Sequence, residues 1–364
     1  RTKALAGTPE VMRANIASLE AVVALAPDFA DGWARLAAMR AWHALQLPYA
    51  ERGAEIARAH AEIARCRALD PDNPETNYAA FWLAPAFGDY AAKADCVRRM
   101  LAATPSASDA HALATGHYLF MGCGLLALHH ARLAMALNPR DWAASLLHGT
   151  ALFVVGDGEE AFAAIEAHLE GWPDDNQAAA MLLMVCVQLE RWDRFDAQIE
   201  PRRLARYPLR EHHVLIAVAC AMRWPTPENK QLLLSGLAER IGRTGAADPN
   251  ILYWSFQLGL GDDVSALMAN ARFGPGGGRG DMMGIIAYRT VTLFLRGFPA
   301  LRMHESFPAL CVRLGLVDYW MTSGDWPDCA DEVPYDIRAA CAAVRHIPCV
   351  PFIVAADRQP AQVA

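Results

Sequence analysis

PSASDAHALATGHYLFMGCGLLALHHARLAMALNP, residues 105 to 139, reads as two helices separated by a turn and bounded at both ends by proline. Proline cannot continue a helix, and the Ser and Asp side chains after Pro105 can accept hydrogen bonds from the orphan amides of a new one. Gly122 lies midway, where two antiparallel helices need a tight turn and a residue tolerant of left-handed geometry. Ala127 and Ala134 mark the close crossing of the pair, where a larger side chain would cost ~1 to 3 kcal/mol in overpacking. The unit recurs outward: Pro71, Pro105, Pro139 and Pro173 stand 34 residues apart, Pro208 follows after 35, and Pro27 precedes Pro71 by 44. Gly88 and Gly156 occupy the place of Gly122, Ala59 and Ala161 that of Ala127, and Cys66 that of Ala134. The expected fold is all-α, an array of stacked helix hairpins.

At the residue level these segments resemble tetratricopeptide repeats. Trp33 and Leu36 fall at the fourth and seventh positions of that motif, Gly149 at the eighth, Tyr118 at the eleventh, and Ile63 and Val97 at the twenty-fourth. The resemblance runs from about Ala30 to Pro208, with further helix pairs expected over residues 215–240 and 251–271. VMRANIASLEAVVALAPD, residues 11 to 28, has apolar residues at helical spacing and supplies part of a first unit. The resemblance implies a right-handed α-solenoid of tetratricopeptide-like hairpins over residues 1–272, about six or seven pairs.

LAPDFADGWARLA (residues 25–37), AEIARCRALDPDNPE (61–75) and FPALCVRLGLVDYWMTSGDWPDC (307–329) are similar to the repeat region of bacterial class III adenylate cyclases and winged-helix transcriptional regulators. The residues that carry the later part are Arg302, Phe307, Gly315 with Leu316, Tyr319 with Trp320, and Trp326 to Asp328. The similarity implies an accessory, regulatory segment with its output domain upstream. No cyclase aspartate pair and no winged-helix pattern occurs in the chain itself.

FGPGGGRGD, residues 273–281, breaks the helical pattern and reads as a hinge, followed by a C-terminal helical cap over 282–330 and a tail over 331–364. It lacks the preceding strand and the GK[ST] ending of a phosphate-binding loop. The nine cysteines include no CxxC pair and read as reduced, packed thiols; Cys329, Cys341, Cys349 and His346 fit no zinc spacing. The doublets His129–His130 and His212–His213 lack the i, i+4 spacing of a helical metal site. No catalytic motif, metal site or cofactor site is expected.

Of the 364 residues 54% are apolar and 20% charged, with a formal charge of −7, and there is no Lys/Arg stripe. That balance disfavours direct nucleic-acid binding. The longest apolar runs, AAAMLLMVCVQL and VLIAVACAM, fall short of the roughly 20 residues of a membrane span. A cytoplasmic protein is expected.

In tetratricopeptide arrays the first helix of each pair lines the concave side. Transferring those positions gives a groove of Trp42, then Tyr78 and Trp82, then Leu119 and Phe120, then Thr150 and Phe153, then Met184 and Gln188, then Met222 and Arg223. Gly116, Leu146 and Gln177 face the same way, and Asp31, Glu75 and Asp109 form an acidic edge. An apolar wall of this kind predicts a non-catalytic interaction module that binds a protein segment, its own C-terminal part or a second copy. The alternative is a sensor that holds an apolar small molecule between the helices.

Overall fold

A computed structural model describes residues 9–47, 51–84, 87–200, 212–244, 246–247, 254–268, 272–273 and 290–345. The chain begins as a run of helices: α1 (Pro9–Leu25), α2 (Ala30–Gln46), α3 (Arg52–Leu69), α4 (Glu75–Leu83), α5 (Tyr90–Ala103) and α6 (Ser108–Met121). It continues through α7 (Gly124–Leu137), α8 (Trp142–Val155), α9 (Gly158–Gly171), α10 (Asn176–Gln188) and α11 (Trp192–Gln198). The helices α2, α4, α6, α8 and α10 each start within four residues of a proline in the periodic series. Asp141 caps α8 by accepting from the Ala144 N–H at 2.8 Å, and Asp175 caps α10 by accepting from the N–H groups of Gln177 and Ala178. Such caps stabilise by about 1 kcal/mol each.

Three of the turns inside the pairs use glycine in the left-handed region, with φ of 99° at Gly88, 78° at Gly122 and 98° at Gly156. The fourth turn at that spacing, after α10, places Glu190 at φ 54°. Ala59, Cys66, Ala127, Ala134 and Ala161 are fully buried, as expected for close crossings. At Gly149 a Cβ would lie 2.7 Å from Ile165 Cγ1, so α8 and α9 touch backbone to side chain.

Each helix from α1 to α10 packs on its successor, and α2 also packs on α4, α6 on α8, and α8 on α10. Among the buried charged residues is Arg40, 4% exposed, whose guanidinium binds Glu20 of α1 and Glu55 and Glu62 of α3. Beyond α11 come α12 (His212–Arg223), α13 (Pro227–Thr244) and α14 (Gly261–Met268), α12 packing on α10 and α13. A two-residue parallel pair, Ala246–Ala247 with Arg272–Phe273, departs from the all-helical expectation. Among the described residues no helix is long and apolar enough to cross a membrane.

Residues 290–345 form short elements: a 3-10 turn at Val291–Phe294, then α15 (Ala300–Met303), α16 (Phe307–Arg313), α17 (Leu316–Ser323) and α18 (Ile337–Val344). They return to the glycine turns of the array. The last carbonyls of a helix have no partner within it, and here the returning segment supplies donors. Trp320 Nε1 donates to Met121 O at 2.9 Å, Thr290 Oγ1 to Phe120 O, Asp328 N to Gly122 O at 3.0 Å and Arg296 N to Val154 O at 3.2 Å. The Asp328 carboxylate in turn accepts from Leu125 N at 2.8 Å, at the start of α7. Within this segment Phe307 and Trp320 are fully buried and Arg302 is 2% exposed, its guanidinium donating to Leu295 O. One hydrophobic cluster joins Met12 in α1 to Cys341 in α18. The hinge from 274 onward and the apolar tail sequence PCVPFIVAADR lie outside the described residues.

Candidate functional site

The first helices of the pairs place aromatic residues where neighbouring units meet. Trp42 of α2, Tyr78 and Trp82 of α4, Phe120 of α6 and Trp142 of α8 line one pocket with Ala112, Leu113, Gly116, Ala143, Leu146, Leu147 and Gln177. It encloses about 500 Å³, counting the part open to solvent. Trp42 is the pivot: its ring stands perpendicular to Trp82, at 82° and 4.8 Å between centroids, and to Trp142, at 83° and 6.0 Å. Tyr78 meets Trp82 edge-on at 6.3 Å. Edge-to-face pairs of this kind contribute about 0.5 to 1.5 kcal/mol each beyond their area burial.

A polar group sets the position of one of these rings. Asp175, at the start of α10, accepts from Trp142 Nε1 and lies 3.0 Å from His168 Nε2 of α9, so one carboxylate orients the Trp142 ring and caps a helix. Trp82 Nε1 is buried beside Tyr78. Gly116 adds nothing to the wall but space: a Cβ there would meet no atom within 4 Å.

The acidic edge lies beside the aromatics. Asp109 precedes Leu113 and Gly116 by four and seven residues on α6, and Glu75 precedes Tyr78 and Trp82 by three and seven on α4, which sets them near the pocket residues of their helices, although neither lines the pocket. Burial raises Asp141 above the ordinary carboxylate value, the Ala144 N–H opposes this, and the Asp109 charge adds to the rise. Burial also raises Glu75, with Arg35, 3.3 Å away, pulling it back. Tyr78 is pushed well above its usual range by burial first and by Asp109 second.

Of the expected groove residues, the pocket gathers Trp42, Tyr78, Trp82 and Phe120, together with Gly116, Leu146 and Gln177. It does not gather the rest. Leu119 and Phe153 are fully buried in the main hydrophobic cluster, and Thr150 is fully buried with its hydroxyl on Leu146 O. Met184 is 6% exposed in the same cluster. Gln188 packs against Gly297 of the returning segment. Met222 is half-buried, and Arg223 binds Asp196 at 3.2 Å and lies over the rings of Trp192 and Trp224. Phe120 is itself only 2% exposed, so it is more floor than wall. Trp142 was missed as a pocket residue because it opens α8, ahead of the positions read as concave; the aromatic directly after the capping Asp141 was the signal.

His111 and His130 contact through their Nδ1 atoms at 2.9 Å, and His130 stacks on Tyr118. Among the described residues no group of three His, Cys, Asp or Glu side chains is placed to share a metal ion. Cys66, Cys96, Cys123, Cys186, Cys220, Cys311, Cys329 and Cys341 are free thiols. His346 and Cys349 lie outside the described residues. No protein-family model matches the chain, and no curated protein matches it.

Proposed function

We propose that the chain is a non-catalytic ligand-binding module, a right-handed tetratricopeptide-like superhelix that serves a larger signalling or transcriptional protein. The observation that carries this reading is the aromatic pocket on α2, α4, α6 and α8, beside a wall otherwise covered by residues 290–345. Rigid apolar walls with few polar groups give this pocket the character of a small-molecule site. The docked C-terminal segment would couple occupancy to the rest of the protein, because it contacts α6 and α8, which also wall the pocket.

In a second reading a partner protein lays a segment along the wall and inserts one anchoring side chain, for which the half-buried Tyr78, Leu147 and Gln177 at the pocket offer contact. The two separate in native mass spectrometry of the purified protein. The small-molecule reading expects a bound species released on denaturation. A bare protein mass under gentle desolvation, with capture of a peptide segment that Gly116→Leu abolishes, would replace it with the segment reading.

A further inference from the structure

We infer that the outward face of α7 is the contact by which two copies of this chain associate, α7 lying beside α7 in parallel about a two-fold axis. No α7 residue lines the pocket, and the contact is independent of what fills it.

The helix carries Leu125, Leu126, Leu133 and Leu137, each between 36% and 55% exposed, with His129 exposed among them. Steps of four residues set Leu125, His129, Leu133 and Leu137 along one side of α7. The repeat itself does not call for leucine there. One unit earlier, α5 has Ala91, Ala92, Arg99 and Ala103 at the positions of the four leucines, and one unit later α9 has Glu159, Glu160, Ala167 and Gly171. All eight are exposed, so the same outer face is met by water in both neighbouring units and turns apolar in α7 alone of the three. An exposed apolar stripe with a more polar surface on either side marks an association surface.

The charges around the stripe suit a second copy. The stripe holds no Asp, Glu or Lys and has Arg132 only at its border, so it can meet itself without like charges at the centre, as a two-fold contact requires. The flanks then choose the direction. Because α6 packs on α5 and α7, and α8 on α7 and α9, the helices α5 and α9 stand on opposite sides of α7. Arg98 and Arg99 are exposed on α5 around the single Asp95, whereas α9 exposes Glu159, Glu160 and Glu170 and has no Lys or Arg. Parallel pairing sets each α5 opposite the α9 of the other copy; antiparallel pairing would set α5 on α5 and α9 on α9. Each Leu125 therefore faces its own counterpart. One helix and its flanks make a small interface, which corresponds to a micromolar dimer.

Sedimentation equilibrium of the full chain should give the mass of two chains at about 100 μM and of one at about 0.1 μM. Leu133→Arg copies the residue that α5 carries at the same position, Arg99, and should weaken association at least about tenfold with an unchanged thermal melt. In Leu125→Cys a short bismaleimide linker should join position 125 of one copy to position 125 of the other, read by peptide mass mapping. A single-chain mass throughout, or a dimer that Leu133→Arg leaves intact, would overturn the contact. A dimer without the cross-link at position 125 would overturn the parallel arrangement. A monomeric wild type whose melt falls in Leu133→Arg would assign the stripe to a segment of the same chain, against the proposal.

Discussion

Gly315 and Gly88 meet backbone to backbone: a Cβ on Gly315 would lie 2.7 Å from the Cα of Gly88 and 3.3 Å from its nitrogen. Both residues sit in the left-handed region, at φ 76° and 99°, so each tolerates its own turn and the other's approach. Gly315→Ala should therefore destabilise the protein by about 2 to 4 kcal/mol, the sum of a left-handed penalty and a steric one. Gly324 provides the control, with φ 81° and nothing within 4 Å of its Cβ position; Gly324→Ala should lose only about 1 kcal/mol. Urea unfolding measures both, and equal losses would contradict the docking of residues 290–345.

Glu190 pays the conformational cost that Gly88, Gly122 and Gly156 avoid. It is exposed, and it stands 34 residues after Gly156 at φ 54°. Glu190→Gly should raise stability by about 0.5 to 1 kcal/mol, the left-handed strain relieved exceeding the added freedom of the unfolded chain. A thermal melt showing a decrease would mean that the turn is not left-handed in solution.

Asp175 holds Trp142, His168 and the first amides of α10 with one carboxylate. Asp175→Ala should cost about 3 kcal/mol, combining a lost cap with buried donors left unpaired. Chemical denaturation reads this directly, and a loss under about 1 kcal/mol would show that the Trp142 ring is fixed by packing alone.

His117 is 1% exposed, and its Nε2 lies 3.1 Å from the Tyr319 hydroxyl, which itself donates to Asp325. Burial, with Lys93 nearby, holds its pKa down at about 3 against the ordinary 6.5. Below pH 6.5 the unfolded chain gains a proton that the folded chain refuses, so this group's contribution is intact at neutral pH and falls as pH drops toward 3. Between pH 7 and pH 5 the wild type should lose about 2 kcal/mol more than His117→Gln. Parallel pH profiles for the two proteins would refute a buried neutral imidazole at the docking contact.

How far the fold could be read from the chain depended on distance along it. Prolines and glycines act on their own backbone, so Pro105, Gly122 and Pro139 marked the ends of α6 and α7 to within a few residues. The turn at Glu190 escaped because its residue type carries no left-handed preference, although the period pointed to it. Trp42, Tyr78 and Trp82 were legible as groove residues because their helix positions alone set the face they occupy. Leu119, Thr150 and Phe153 follow the same rule but lie toward the ends of α6 and α8, where the returning segment docks. Its pairing with α6, as between His117 and Tyr319, joins residues 202 apart and leaves no local pattern.

The central claim is that the first helices enclose usable space, and Gly116 tests it most directly. Its Cβ direction is open and it lies inside a helix, so Gly116→Leu should melt no lower than the wild type, and up to about 1 kcal/mol of helix propensity favours it. The same variant should lose the bound species that native mass spectrometry finds on the wild type. A variant that melts far below the wild type would show that no such space exists, and one that keeps the bound species would place the site elsewhere.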